Sequence, residues 1–145
     1  ISGEGDACRV RVMGDNTYGQ CGHTLYENRE YMNFAADLYS GETSSSNLIK
    51  DAVDVAAGQY FSVILRANGD KENGLTENKV YAFGYNSDSQ LGTNPEMEVN
   101  KDSYKNNISR DLKEIQVNGN KGVITSVAAA GGYGLALTDV GEVFS

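Results

Sequence analysis

The chain repeats itself, and that constrains its fold more than any single residue does. RVMGDNTYGQCG, from Arg11 to Gly22, and YAFGYNSDSQLG, from Tyr81 to Gly92, share one layout. Gly14 answers to Gly84, Asn16 to Asn86, Gln20 to Gln90 and Gly22 to Gly92, each pair 70 positions apart. A second pair of stretches, DVAAGQYFSVILRANG (Asp54 to Gly69) and SVAAAGGYGLALTDVG (Ser126 to Gly141), aligns at 72 positions. There Val55 meets Val127, Ala57 meets Ala129, Leu65 meets Leu137 and Gly69 meets Gly141. Two independent anchors near one spacing are hard to get by chance in a short chain, so internal repetition is the main constraint.

Each unit reads as short strands. Val53 to Ala57 is small and apolar, Phe61 to Leu65 is β-branched and aromatic, and Val80 to Phe83 is a third strand after the turn at Gly69. Seventeen glycines against one proline favour many tight turns, with glycine supplying backbone that a Cβ would obstruct. Alanine-rich runs such as Ala128–Ala130 favour helix in isolation, but the glycines and short apolar strands around them break any 3.6-residue period. Strand is the expectation there too. In the Gln-Leu-Gly punctuation, the glycine permits the turn, the leucine fills a core between units, and the glutamine amide satisfies loop backbone groups.

The order Val55-Ala56-Ala57-Gly58, Gly69, Val80-Tyr81-Ala82-Phe83-Gly84, Asn86 and Gln90-Leu91-Gly92 resembles the regulator of chromosome condensation repeat. In this chain Cys21 stands where that pattern carries leucine, and Phe61 and Tyr133 stand where it often carries histidine. The resemblance implies an all-β fold: a partial β-propeller of about two four-stranded antiparallel blades. Residues 1–145 then form a fragment of a single β-propeller domain, in repeat blocks of approximately 9–79 and 80–145, cut mid-blade at both ends. The absence of an initiator Met fits an excerpt. Since closed propellers need at least about four blades, association is expected with further blades of a parent chain or with copies of itself.

A repeat of roughly fifty residues stretched to about 70 implies insertions. Tyr26–Lys50, Asp70–Asn78 and Thr93–Lys121 are polar and are expected to be solvated loops. The second of these is informative. Ten residues separate Gly69 from Val80, whereas one separates Gly141 from Val143, so a bare turn suffices to close the unit. Asp70, Lys71, Glu72, Asn73 and Glu77 in the longer version are therefore the candidate protein-binding residues, presented on a hairpin finger.

Catalytic chemistry is not expected. His23 is the only histidine, and a catalytic pair with Cys21 is not the reading taken. AAAGGYG lacks both the Gly-Lys-Ser/Thr ending and the G-x-G-x-x-G spacing of phosphate loops. Asp70, Glu72 and Glu77 fail as a calcium loop, because Gly74 falls at position seven when Asn68 is position one. No cofactor, metal or nucleotide site is expected. Twelve basic residues against twenty acidic ones give a net charge of −8, which disfavours direct nucleic-acid binding. No hydrophobic run approaches the roughly 20 residues of a membrane span. Two cysteines make no disulfide framework and suit an intracellular protein, in nucleus or cytoplasm.

The expected function is thus a non-enzymatic protein-interaction scaffold. The resemblance also implies an alternative, a guanine-nucleotide exchange factor for a Ran-like small GTPase, or else the propeller segment of a ubiquitin ligase. An exchange factor works by differential binding and needs no acid, base or nucleophile. The partner in either case is a protein.

Overall fold

The computed structural model describes residues 9–26, 29–67, 77–92, 108–117, 119 and 122–145. Among these, ten strands follow one another: β1 (Arg11–Asp15), β2 (His23–Thr24), β3 (Tyr31–Tyr39), β4 (Ala52–Ala57), β5 (Phe61–Ala67), β6 (Asn78–Tyr85), β7 (Ile108–Ile115), β8 (Ile124–Ala130), β9 (Tyr133–Thr138) and β10 (Val143–Phe144). A single 3-10 turn, Ser45–Asn47, is the only helical element among the described residues. All strand pairs are antiparallel. The fold is all-β, as expected, and the alanine-rich runs are strands β4 and β8.

The strands form three sheets that do not close into a ring. A four-stranded sheet, β4-β5-β6-β7, lies between a three-stranded sheet β1-β3-β2 and a three-stranded sheet β10-β9-β8. The strand material expected of about two blades is thus divided into one four-stranded blade and two three-stranded ones.

The alternation of side chains along a strand explains the stacking. On β5, Phe61, Val63 and Leu65 point to one side and pack with Val80, Ala82, Ile124, Val127 and Ala136 of the middle and third sheets. Ile64, with Phe83 of β6, points to the other side and meets Leu38 of the first and Ile49, just past the 3-10 turn. A strand apolar on both faces is what a continuous run such as Phe61–Leu65 encodes. Fully burying one such side chain contributes about 1.5–3 kcal/mol, so the middle sheet draws stability from both neighbours.

Two stretches expected to be solvated loops contain strands. Tyr26–Lys50 holds β3 and the 3-10 turn, and buries Met32, Ala36, Leu38 and Ile49. Thr93–Lys121 holds β7, which buries Ile108 and Ser109. β3 is the central strand of an outer sheet and β7 the edge strand of the middle one, and in both polar residues interrupt the apolar ones, so the composition resembles a loop.

Irregularities repeat along with the sequence. The pairing slips between Val12 and Gly14 on β1 and between Ala82 and Gly84 on β6, again 70 positions apart. It slips between Ala52 and Asp54 on β4 and between Ile124 and Ser126 on β8, 72 apart. Bulges re-aim a strand and are features of a fold rather than defects.

Gly14 and Gly84 take φ of 110° and 114°, a region that side chains strain to enter. Their surroundings differ. A Cβ at Gly84 would meet the Tyr60 carbonyl oxygen at 2.5 Å and the Phe61 Cα at 2.7 Å, whereas one at Gly14 meets nothing within 4 Å. Gly14→Ala should therefore cost only the backbone strain, about 1–3 kcal/mol. Gly84→Ala should cost a further 1–3 kcal/mol, roughly, for the clash with β5. Urea unfolding of the two variants checks this, with equal losses as the adverse result.

Candidate protein-interaction surface

The two punctuation turns are built by the same four hydrogen bonds. After β1, the buried Asn16 accepts the Cys21 N–H on Oδ1 at 2.9 Å, and Gln20 Oε1 accepts the Tyr18 N–H at 2.9 Å. After β6, the buried Asn86 accepts the Leu91 N–H at 2.9 Å, and Gln90 Oε1 accepts the Asp88 N–H at 2.9 Å. The Asn carbonyls close each turn onto Gly19 at 3.0 Å and Ser89 at 3.2 Å. A further backbone bond joins Gly22 to Gly19 and Gly92 to Ser89. Ser89 takes φ of 62° where its counterpart Gly19 takes 73°, so the backbone path is imposed even without a glycine. Leu91 is fully buried and Cys21 nearly so. The glutamine, leucine and glycine roles expected from the sequence hold.

These turns lie at the same strand ends as the β4–β5 and β8–β9 turns, and cross-links fix them together. The Ser62 hydroxyl donates to the Gln20 carbonyl at 2.8 Å, and the Gln59 N–H donates to the Gly131 carbonyl at 3.0 Å. The result is a rigid rim running across three sheets. On it the Tyr18 ring lies 4.6 Å from that of Tyr60 and 5.0 Å from that of Tyr85, centroid to centroid, with 6.1 Å between Tyr60 and Tyr85. All three are half-buried.

Asp54 clamps the middle sheet to the third. Its Oδ2 accepts the Ser126 hydroxyl at 2.8 Å and the Val127 N–H at 2.9 Å, while Oδ1 accepts the Val55 N–H at 2.9 Å. Burial by itself would raise the carboxyl, but bonds from Val127, Ser126 and Val55 outweigh it and hold the group below its usual value of 3.8.

His23 and Cys21 are engaged elsewhere than with each other. His23 Nε2 lies 2.6 Å from Asp111 Oδ1, joining β2 to β7. The Cys21 thiol donates to the Asp15 carbonyl at 3.6 Å. Burial, reinforced by the Asp15 charge, pushes this thiol up to about 11, so it stays protonated at neutral pH. Among the described residues, no group of three His, Cys, Asp or Glu side chains is gathered to hold a metal.

Of the candidate finger, Glu77 is exposed, while Asp70, Lys71, Glu72 and Asn73 lie outside the described residues. The stem beside Glu77 is anchored. Asn78 Nδ2 donates to the Ile124 carbonyl at 2.7 Å, and Lys79 Nζ meets Glu114 Oε1 at 3.0 Å.

Residues 52–90 match the family model described as the regulator of chromosome condensation (RCC1) repeat. Over those residues the chain is similar to a regulator of chromosome condensation repeat. Its fold is similar to the crystal structure of human WBSCR16, at 25% identity and a TM-score of 0.56, over 90% of this chain and 27% of that one. It is also similar to yeast RCC1 (Prp20), crystallised with Kap60, at 18% identity and a TM-score of 0.63, over 93% of this chain and 27% of that one. The chain thus spans about a quarter of the length of these two structures. No curated protein matches it significantly.

Two elements of the repeat escaped the sequence reading. The Asn16 and Asn86 amides were visible as a pair 70 apart, but only burial reveals that they organise the turn. Asp54 carried no signal at all, since its partner Ser126 sits 72 residues away. Asp54→Ala should destabilise the protein by about 1–3 kcal/mol at neutral pH, through the unpaired Val127 N–H and the lost bonds. Because the folded carboxyl titrates below its usual 3.8, this contribution is present in full above that value. It disappears as pH falls through the lower folded value. Denaturation curves at pH 7 and near pH 2.5 should show a gap between parent and variant that narrows on acidification.

Proposed function

We propose that the chain is a segment of a regulator of chromosome condensation type propeller that acts as a non-enzymatic scaffold for a protein partner. One comparison within the molecule carries the propeller-segment reading. Phe61, Val63 and Leu65 of β5 are 1%, 3% and 0% exposed, because the third sheet covers them. Their counterparts 72 positions on, Tyr133, Leu135 and Leu137 of β9, are 59%, 38% and 41% exposed. The same face of the same strand is sealed in one unit and open in the next. A further blade, from a longer protein or a second copy, completes it.

The scaffold reading is supported by the hydrogen-bonded rim and by the anchored stem of the Asp70–Glu77 finger, since loops on rigid supports suit recognition. The finger is the contact this reading proposes. Shortening it to the one-residue turn of the second unit should leave thermal stability nearly unchanged. In the complete protein it should weaken partner binding by more than about tenfold, or 1.4 kcal/mol. Unchanged affinity would remove the finger from the interface. A parallel exchange assay on a panel of small GTPases should show no acceleration of nucleotide release; clear acceleration would replace the scaffold with the exchange-factor reading.

A further inference from the structure

We propose that the chain associates head to tail with a second copy of itself. Strands β8 and β9 of one copy join β1 and β3 of the next in one four-stranded blade. The inference rests on the propeller-segment reading and commits it to one source for the cover that β9 needs.

Both halves of a contact made once inside the chain lie open elsewhere on it. Phe61, Val63 and Leu65 of β5 pack with Val127 of β8, and Ala129 lies against the same cluster. Shifted 72 positions on, the β5 half becomes Tyr133, Leu135 and Leu137; shifted 72 back, the β8 half becomes Val55 and Ala57 of β4. Val127 is 7% exposed, whereas Val55 is 55% exposed. Ala56 packs toward the third sheet, so its neighbour Val55 faces the opposite way. The open β4 face and the open β9 face therefore meet only between copies. Met13 follows the same logic: its counterpart Phe83, 70 positions on, is buried against the first sheet, while Met13 is exposed.

The strand edges fit as well. Among the described residues β1 pairs only with β3, and β9 pairs with β10 only at Leu137 and Ala136. The Val10 carbonyl accepts the Leu38 N–H at 3.0 Å, so by alternation the Met13 backbone faces the open side of β1. The Thr138 N–H donates to the Glu142 carbonyl at 2.9 Å, so the Gly134 backbone faces the open side of β9. In the middle sheet Ser62 pairs with Phe83 and Val63 with Ala82. The same register sets Gly134 opposite Met13 of the next copy, and Leu135 opposite its Val12. In that register β10 holds the places of Val10 and Arg11, so it lifts as β1 enters, exchanging two pairs for five.

Two grooves take the entering strands. One, of about 540 Å³, runs beside Gly134 and Ala136 and is walled by Val63 and Ile115; Met13 of the next copy enters it. The other, of about 410 Å³, lies between Val12 of β1 and Val55 and Ala57 of β4, and receives Leu135. A contact between unlike ends closes into a ring or runs on as a filament. Each copy brings one four-stranded sheet and half of two more, so the four to eight blades of a propeller correspond to about two to four copies. Copies that each carry −8 repel one another, which holds the Kd to the order of 10 µM.

Sedimentation velocity on the full chain tests this. A monomer is expected at about 1 µM and an oligomer at about 100 µM, roughly tenfold either side of that Kd. Val55→Asp spoils the β4 end and Tyr133→Asp the β9 end, both at exposed positions that the monomer tolerates. Each variant alone should stay monomeric at about 100 µM. Mixed in equal amounts they retain one intact junction between them, and should form a 1:1 dimer that grows no further. Pairing of two like ends would instead leave one variant associating alone. Met13→Asp replaces Val55→Asp, and Leu135→Asp replaces Tyr133→Asp, should either variant unfold. An unaltered chain monomeric at about 100 µM, a folded variant that associates by itself, or a mixture without dimer would each overturn the proposal. That failure removes the second copy alone. The propeller-segment reading falls separately, if alanine at Leu65 and at Leu137 costs the monomer equally.

Discussion

A sheet that is apolar on both faces is stable only between two other layers, and the middle sheet of this chain is such a sheet. Ile64 and Phe83 need the first sheet as much as Val63 and Leu65 need the third. Burial on two sides forces the units to stack. It also dictates small residues where inner strands crowd: Ala56 and Ala129 pack at the junction of the middle and third sheets. It leaves the outward face of β9 in need of a cover. Nearest-neighbour stacking of this kind adds stability unit by unit.

Stacking alone does not hold the strand ends in register. That task falls to buried polar groups, which cost free energy unless they are paired. Asn16 and Asn86 spend their amides on the backbone of their own turns, and Asp54 spends its carboxylate on the next sheet. Each closes a place where the chain leaves the ladder and would otherwise strand an N–H away from water. The turns are consequently held by their own bonds, and the change from Tyr18 in one to Asp88 in the other leaves those bonds the same.

The sequence was legible where the chain obeys one rule at a time. Gln20, Gln90 and Leu91 announced their roles because a turn at a fixed offset leaves few alternatives. Phe61–Leu65 announced a strand, while its burial on both sides became visible only in the packing. Strands β3 and β7 were not legible, because polar residues such as Asn33, Asp37, Arg110 and Asp111 interrupt their apolar positions and read as loop. The tyrosine cluster was hidden for a different reason: its members come from three stretches and meet only after three turns have closed. Cys21 shows the tolerance of the scheme, a small thiol filling a slot where the second unit has a leucine.

Leu65 and Leu137 occupy the same repeat position, 72 residues apart, at 0% and 41% exposure. Replacing each with alanine and measuring equilibrium unfolding of this chain tests the stacking account most directly. The account predicts a loss of about 2–5 kcal/mol for Leu65→Ala, the range for a sealed core leucine. For Leu137→Ala it predicts a loss below about 1 kcal/mol, because water already reaches that face. Equal losses at the two positions would mean that neighbouring sheets do not seal one another, and would contradict it.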